Sequence, residues 1–263
     1  MRALVTNDDG IESPGLLALA TVAVEAGLET VIAAPSWDSS GAAASLTAVE
    51  REGRFVLRPR TVPELPDIAV YAAEAAPAFI VRAGITGAFG PPPDIVLSGI
   101  NRGPNTGHAV LHSGTVGAAL TASTFGRPGM AVSLDVRDGS PHWATAVAAA
   151  RAALRWLLDA GEPLVLNVNA PNCPPAALRG MCTTRLAAFG AVQTTITEHG
   201  AGYVKLAYDQ VAADLEPGTD AAALAERMAS VTSLHAVCEE VDAGLPATFE
   251  LSSRDGGQGP PPP

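Results

Sequence analysis

The chain has 263 residues, of which 48% are hydrophobic and only 16% charged, so it can bury a large core and disorder is excluded as its overall state. Aromatic residues make up 5%, which leaves Ala, Val and Leu to fill that core. The formal net charge of −11 argues against a nucleic-acid polymer or an anionic membrane as main partner, because both recruit basic surface. A small phosphorylated ligand stays open, since a metal ion and backbone amides can hold one locally.

Cys173, Cys182 and Cys238 form no CxxC pair, and an odd, sparse count suits a reduced compartment. The first residues reach Asp8 and Asp9 before any signal-peptide core forms, and no apolar run is long enough to cross a bilayer. The expected location is the cytoplasm.

In chain order, residues 3–6 read as a strand. Ser13 followed by Pro14 predicts a helix to about Ala26, and residues 30–34 predict a second strand. Residues 54–57 and 68–71 suit shorter strands, 78–86 a helix and 94–98 a strand. Ser113 caps a helix that runs to about Phe125 and stops at Gly126. Residues 130–134 form a strand, Ser140-Pro141 opens a long helix to about Ala160, and 164–168 follow as a strand. Apolar strands alternating with helices predict a Rossmann-like α/β fold, a mostly parallel sheet with helices on both faces.

After Pro175 the texture changes. Residues 181–189 and 203–208 alternate like exposed antiparallel strands and predict an extended β-hairpin arm. Residues 219–228 suit a helix and 229–234 a strand. The reading divides the chain into a Rossmann-like core at 1–175, a hairpin arm with a C-terminal oligomerisation segment at 176–250, and a low-complexity Pro/Gly tail at 251–263 expected to be disordered.

Four segments carry chemistry. Asn7-Asp8-Asp9-Gly10 follows the first strand, where a parallel sheet forms its ligand crevice. Two adjacent carboxylates there repel unless a cation sits near them, and hard oxygen ligands suit Mg²⁺ or Mn²⁺. A plain strand-to-helix turn uses the same residue types. Ser98-Gly99-Ile100-Asn101-Arg102-Gly103-Pro104-Asn105-Thr106-Gly107 follows another strand, with Asn101 a candidate metal ligand in a loop suited to cradling an anion. Ser113-Gly114-Thr115 opens a helix, whose N-terminus is a phosphate seat, although a simple Ser cap has the same pattern. Ser39-Ser40-Gly41 follows the second strand.

Together these segments strongly resemble the SurE (stationary-phase survival protein) nucleotidases. The resemblance rests on NDDG, on the Pro35 to Gly41 segment, on residues 93–101 (PDIVLSGIN), on Gly103-Pro104-Asn105 and on residues 113–116 (SGTV). It covers 1–134 with high motif specificity and continues more faintly at 166–169, 217–220 and 231–234. It implies a Rossmann-like domain with a hairpin and C-terminal segment exchanged between subunits, as a homodimer or homotetramer. The implied activity is that of a divalent-metal phosphomonoesterase, a 5′-nucleotidase-like phosphatase acting on nucleoside monophosphates, with one Mg²⁺ or Mn²⁺ per subunit. By position the metal ligands would be Asp8, Asp9, Ser40 and Asn101, with Asp8 and Asp9 also catalytic. Ser40 is preferred to Ser39 because the family's serine directly precedes the glycine. Asn105, Ser113, Gly114 and Thr115 would line the phosphate site, joined by His112 at a position where the family carries tyrosine.

The chain departs from the family at Trp37-Asp38, at Ala75 to Phe79 and at His108 to His112. These changes fall where the leaving group should lie. Two readings follow: a preference shifted from ordinary nucleoside 5′-monophosphates toward a related, bulkier nucleotide-like phosphoester, with Trp37 and Phe79 offering flat apolar surface, or neutral drift at the pocket rim. His108 and His112 are four apart, but Gly107 beside them reads as loop, which disfavours a metal pair. The alternative is a non-catalytic relative that binds a phosphorylated ligand. A dinucleotide-dependent oxidoreductase is disfavoured, because Asn-Asp-Asp-Gly replaces the glycine fingerprint and its acids would repel a pyrophosphate.

Overall fold

The computed structural model describes residues 1–137, 139–188, 192–200, 203–210 and 215–238. The expected tail at 251–263 lies outside them. The first half contains β1 (Arg2–Thr6), α1 (Pro14–Glu25), β2 (Glu29–Pro35), the short strands β3 (Glu50–Arg51) and β4 (Arg54–Phe55), β5 (Leu57–Arg60), β6 (Ala69–Ala73), α2 (Pro77–Ile85) and β7 (Ile95–Arg102). A 3-10 turn (Gly107–His112) leads into α3 (Gly114–Ser123), followed by β8 (Gly129–Asp135), α4 (Trp143–Ala160) and β9 (Val165–Pro171). Beyond these come β10 (Met181–Thr183), β11 (Val192–Gly200), β12 (Tyr203–Gln210), α5 (Asp220–Ala225) and β13 (Ala229–Leu234).

One sheet of nine strands, among the described residues, has the order β10-β13-β9-β8-β7-β1-β2-β6-β5. From β6 to β9 every pairing is parallel; β5 and β13 run antiparallel to their neighbours β6 and β9. The core is built by strict alternation. Ala3 and Val5 of β1 and Leu97 of β7 pack with Leu16 and Leu19 of α1 and Leu154 and Leu157 of α4. Leu4 and Val96 face the other way, onto Ile80 and Val81 of α2 and Ala118 and Ala122 of α3. Burying each of the larger of these aliphatic side chains contributes about 1.5–3 kcal/mol, so both sheet faces are held and the crevice at the strand ends is rigidly framed. The Rossmann-like expectation holds: β1 is central, and the chain leaves it toward β2 on one side while β7 continues to β8 on the other. Between β1 and β7 lies the switch point where such sheets bind ligands at their carboxyl ends.

Two local expectations are corrected. The long helix starts at Trp143, not Ser140, because the backbone N–H of His142 donates to Asn172 Oδ1 (2.8 Å) and holds 140–142 against the loop after β9. Residues 181–188 do not form an arm strand, and residue 189 of that expectation lies outside the described residues. Met181–Thr183 pair in parallel with β13 at the edge of the main sheet, and Met181 packs against the core there. The hairpin is instead β11 with β12, a separate antiparallel sheet with a register irregularity between Ile196 and Glu198. The sheet therefore continues past residue 175.

Candidate metal and phosphate site

β1 delivers Asn7, Asp8 and Asp9 to the switch point, and β7 delivers Asn101 and Arg102 beside them. The strand β7 does not end at Ser98 as expected but runs on through Arg102. Its pairing with β8 slips between Ser98 and Asn101. Only glycine fits at position 99, where φ is +125° and a Cβ would lie 2.2 Å from the Val132 carbonyl oxygen. The backbone N–H of Arg102 donates to Asp9 Oδ2 (3.1 Å), so the end of β7 is fastened to the turn after β1.

Asp8 is buried, at 3% exposure, against the N-terminus of α3. The Thr115 backbone N–H donates to its Oδ2 at 3.0 Å and the Thr115 hydroxyl to its Oδ1. Gly114 permits this approach, since a Cβ there would sit 2.9 Å from Asp8 Cβ and Oδ2. The expected phosphate seat is thus partly taken by a carboxylate of the same chain: a helix N-terminus favours negative charge whatever carries it. Ser113 caps the helix, accepting the Val116 N–H at 3.1 Å.

Burial still outweighs these bonds and raises the Asp8 pKa above the ordinary carboxylate value. Asp9 is pushed up to about 6, by burial first and then by the charge of Asp8, with the Arg102 N–H opposing. Asp38 adds negative charge against both. Next to this pair, Asn7 Oδ1 and Ser39 Oγ are buried with no hydrogen-bond partner among the described residues. Under-neutralised carboxylates and orphaned oxygens are the environment a hard divalent cation fits.

The serine segment divides its roles. Ser39 is buried and its N–H donates to the Asp8 carbonyl at 2.6 Å. Ser40 is exposed; its N–H donates to Asp38 Oδ1 at 2.9 Å and its hydroxyl to the same oxygen. That leaves the lone pairs of Ser40 Oγ for another partner. Asn101 Nδ2 donates to the Gly103 carbonyl at 2.8 Å, which leaves its Oδ1 as the coordinating end.

Asn105 serves as a brace. Its Nδ2 donates to Ser133 Oγ, its N–H to Asn169 Oδ1, and its carbonyl accepts both Asn167 Nδ2 and Asn169 Nδ2, all at 2.8–2.9 Å. Asp220, fully buried, accepts the N–H groups of Gly107 (2.8 Å) and Ala187 (3.0 Å) and ties the 3-10 turn to the C-terminal region. The turn carries His108 and His112, both exposed, on helical backbone where loop was expected. Among the described residues no three His, Cys, Asp or Glu side chains gather as a metal cluster, so the histidines join no such group. Phe79, read as a free stacking surface, instead packs edge-on against Phe55 with ring centroids 5.1 Å apart.

Sequence reasoning missed Thr115 as a partner of Asp8, Asp38 beneath Ser40, and the brace of Ser133, Asn167, Asn169 and Asp220. Asn167 and Asn169 were visible in principle, as polar residues two apart on an otherwise apolar strand.

The family model described as "Survival protein SurE" matches residues 3–191. A protein of Cronobacter sakazakii named 5′/3′-nucleotidase SurE is 38% identical over 242 residues, 89% of this chain and 90% of its own. Another of that name from Escherichia coli O1:K1 / APEC is 37% identical over the same shares. The crystal structure of SurE protein from Aquifex aeolicus superposes with a TM-score of 0.76 at 30% identity, covering 91% of this chain and 95% of that one. With the family model matching most of its length and these relatives nearly all of it, the chain belongs to the SurE family.

Proposed function

We propose that this protein is a divalent-metal-dependent phosphomonoesterase that hydrolyses nucleoside monophosphates. The observation that carries the reading is the acidic pair itself: Asp8 and Asp9, both with raised pKa, wedged at the β1/β7 switch point against the N-terminus of α3. The relatives' name, 5′/3′-nucleotidase, supports the same chemistry. An intact carboxylate pair favours it over a ligand-binding relative that has lost catalysis.

Asp8, Asp9, Ser40 and Asn101 would hold one Mg²⁺ or Mn²⁺. Bound there, such an ion supplies positive charge for a phosphoryl oxygen and acidifies a coordinated water. Asp8 is locked by Thr115 and serves as anchor. Asp9 is less buried and has one oxygen, Oδ1, free of the Arg102 N–H; it takes the proton of the attacking water. With the N–H groups of Thr115, Val116 and Gly117 taken by Asp8 and Ser113, the Gly114 N–H at the start of α3 stabilises charge on the phosphoryl oxygens, Asn105 holds the flanking loop, and His112 reaches the substrate from the 3-10 turn. Among the described residues the hairpin β11–β12 has two strands in its sheet, too few to stand alone. That supports packing against another copy, as a homodimer or homotetramer. No described helix is long and apolar enough to cross a membrane, and a cytoplasmic location suits the nucleotide substrate.

The test is phosphate release from a panel of nucleoside monophosphates with Mg²⁺ and with Mn²⁺. The wild-type chain releases phosphate, and the Asp8→Ala/Asp9→Ala variant loses about 10³-fold, the scale of several kcal/mol of charge stabilisation, while its circular dichroism stays native. Full activity in the double variant sinks the assignment.

A further inference from the structure

The segment between β2 and Gly41 lies along the acidic turn at three points. The Ile11 N–H donates to the Pro35 carbonyl at 2.8 Å, and the Ser39 N–H donates to the Asp8 carbonyl at 2.6 Å. Midway, the Trp37 carbonyl oxygen stands 3.2 Å from where a Gly10 Cβ would be. The backbone of Trp37 is therefore fixed beside Asp8 and Asp9, while its side chain is 42% exposed. An indole anchored at a polar rim with 42% of its surface open to water offers apolar area to a ligand. Other apolar side chains also stand exposed: Leu46 and Val49 on the same loop at 50% and 37%, and Leu111 on the turn before α3 at 72%. The second aromatic of this region, Phe79, is occupied by Phe55.

Charge alone does not explain this rim. The segment that carries Trp37 borders the acidic turn on its exposed side, so the alcohol part of a phosphoester held at Asp8 and Asp9 would meet it on leaving the buried wall. A sugar or polyol would find a flat apolar plate there. An aromatic heterocycle would stack on it, whatever its pattern of ring substituents.

We propose that Trp37 is the stacking platform for the base of the leaving nucleoside, so that this site selects phosphomonoesters bearing a flat aromatic group over those bearing the sugar alone. The inference rests on the phosphomonoesterase reading and adds the residue that reads the leaving group.

The experiment compares kcat/KM for AMP and for ribose 5-phosphate, using the full chain with Mg²⁺ or Mn²⁺. Trp37→Ala lowers the ratio of the two by about tenfold, within the range that stacking a base on an aromatic side chain supplies, and the loss appears in KM for AMP. Trp37→Phe keeps most of the ratio, because a smaller ring still stacks, and Trp156→Phe, at the far side of α4, leaves it unchanged. A second readout needs no turnover: adenosine quenches the emission of the wild-type chain, and the quench disappears in Trp37→Phe, which keeps Trp143 and Trp156. An unchanged ratio in Trp37→Ala overturns the proposal. So does emission that adenosine does not touch, or a Trp37→Ala chain whose mass by light scattering falls while its AMP preference persists. If neither ester releases phosphate with either metal, the phosphomonoesterase reading fails, and adenosine quenching still decides whether Trp37 binds a base.

Discussion

The inner and outer walls of the site are built in opposite ways. The inner wall is over-determined: Asp8 is buried, held twice by Thr115 and pressed against Gly114, and β7 reaches Asp9 only through the close approach at Gly99. The outer wall is open: Trp37, Asp38, Ser40, Leu111 and His112 are exposed, and Ser40 touches its neighbour Asp38 by a bond only two residues long. A carboxylate pair needs rigid support, because burial and mutual repulsion both oppose its charged form. A rim that reads the leaving group needs exposed side chains, and those can change without unfolding the protein. Of the departures that the resemblance implied, Trp37, Asp38, His108 and His112 are exposed on the outer wall, whereas Ala75, Ala76, Pro77 and Ala78 are buried and Phe79 packs against Phe55.

The largest blow to the inner wall is Gly99→Ala. The new Cβ meets a backbone carbonyl that cannot turn aside, and the residue keeps a left-handed φ. The expected loss is about 3 kcal/mol or more in urea unfolding. A loss below about 1 kcal/mol would show that the β7–β8 junction relaxes freely and that the contrast is overstated.

Thr115→Val is milder. It keeps shape and backbone but removes the hydroxyl that donates to Asp8 Oδ1. Partners that orient a ligating carboxylate contribute about 10–100-fold in metal affinity. Mn²⁺ binding measured by calorimetry should weaken by that factor, and the selectivity between AMP and ribose 5-phosphate should stay, because the outer wall is untouched. Unweakened Mn²⁺ binding would remove Thr115 from the site.

The smallest effect is the pH dependence of Asp9. Its folded-state pKa lies near 6, above the unfolded value of 3.8, so between those limits the folded chain holds a proton that the unfolded chain has lost. Its contribution to stability is present at low pH and falls as pH rises through about 6; Asp8, also raised, has the same sign. Asp8 and Asp38 oppose its ionisation, and Arg102 favours it. With chelator present, the wild-type chain should lose stability relative to Asp9→Asn between about pH 4 and 6, and divalent metal should restore the difference above that window. A gap that is flat across it would mean the two carboxyls are relaxed without a cation.

Much of this was legible in the residues. Alternation of apolar strands with capped helices predicted β1, β2, β7, β8, β9, α1, α2 and α3 to within a few residues, because those patterns report burial locally. The motifs pointed to Asp8, Asp9, Asn101 and Thr115 by type and position. The reach of β7 was not legible: a strand that slips register at Gly99 looks in sequence like a strand that ends at Ser98. Residues 181–189 alternate as a hairpin strand would, yet Met181–Thr183 join the main sheet, since alternation tells which face is buried and not which strand is the neighbour.

What the sequence by itself determined is the set of chemical groups and the periodicity that makes them an α/β sheet: adjacent acids after a first strand, an amide after another, a serine before a helix. Only the tertiary structure decided which of them meet. It put the α3 N-terminus onto Asp8, where phosphate alone had been expected, gave Ser39 to the interior and Ser40 to Asp38, turned Asn105 into a brace, and left Trp37 open while closing Phe79 against Phe55. The physical reason is range. Propensity, capping and hydrophobic period act over a few neighbouring residues, whereas Asp8 and Thr115 are 107 positions apart and Asp220 and Gly107 are 113 apart. Contacts at that separation exist only once both faces of the sheet are packed.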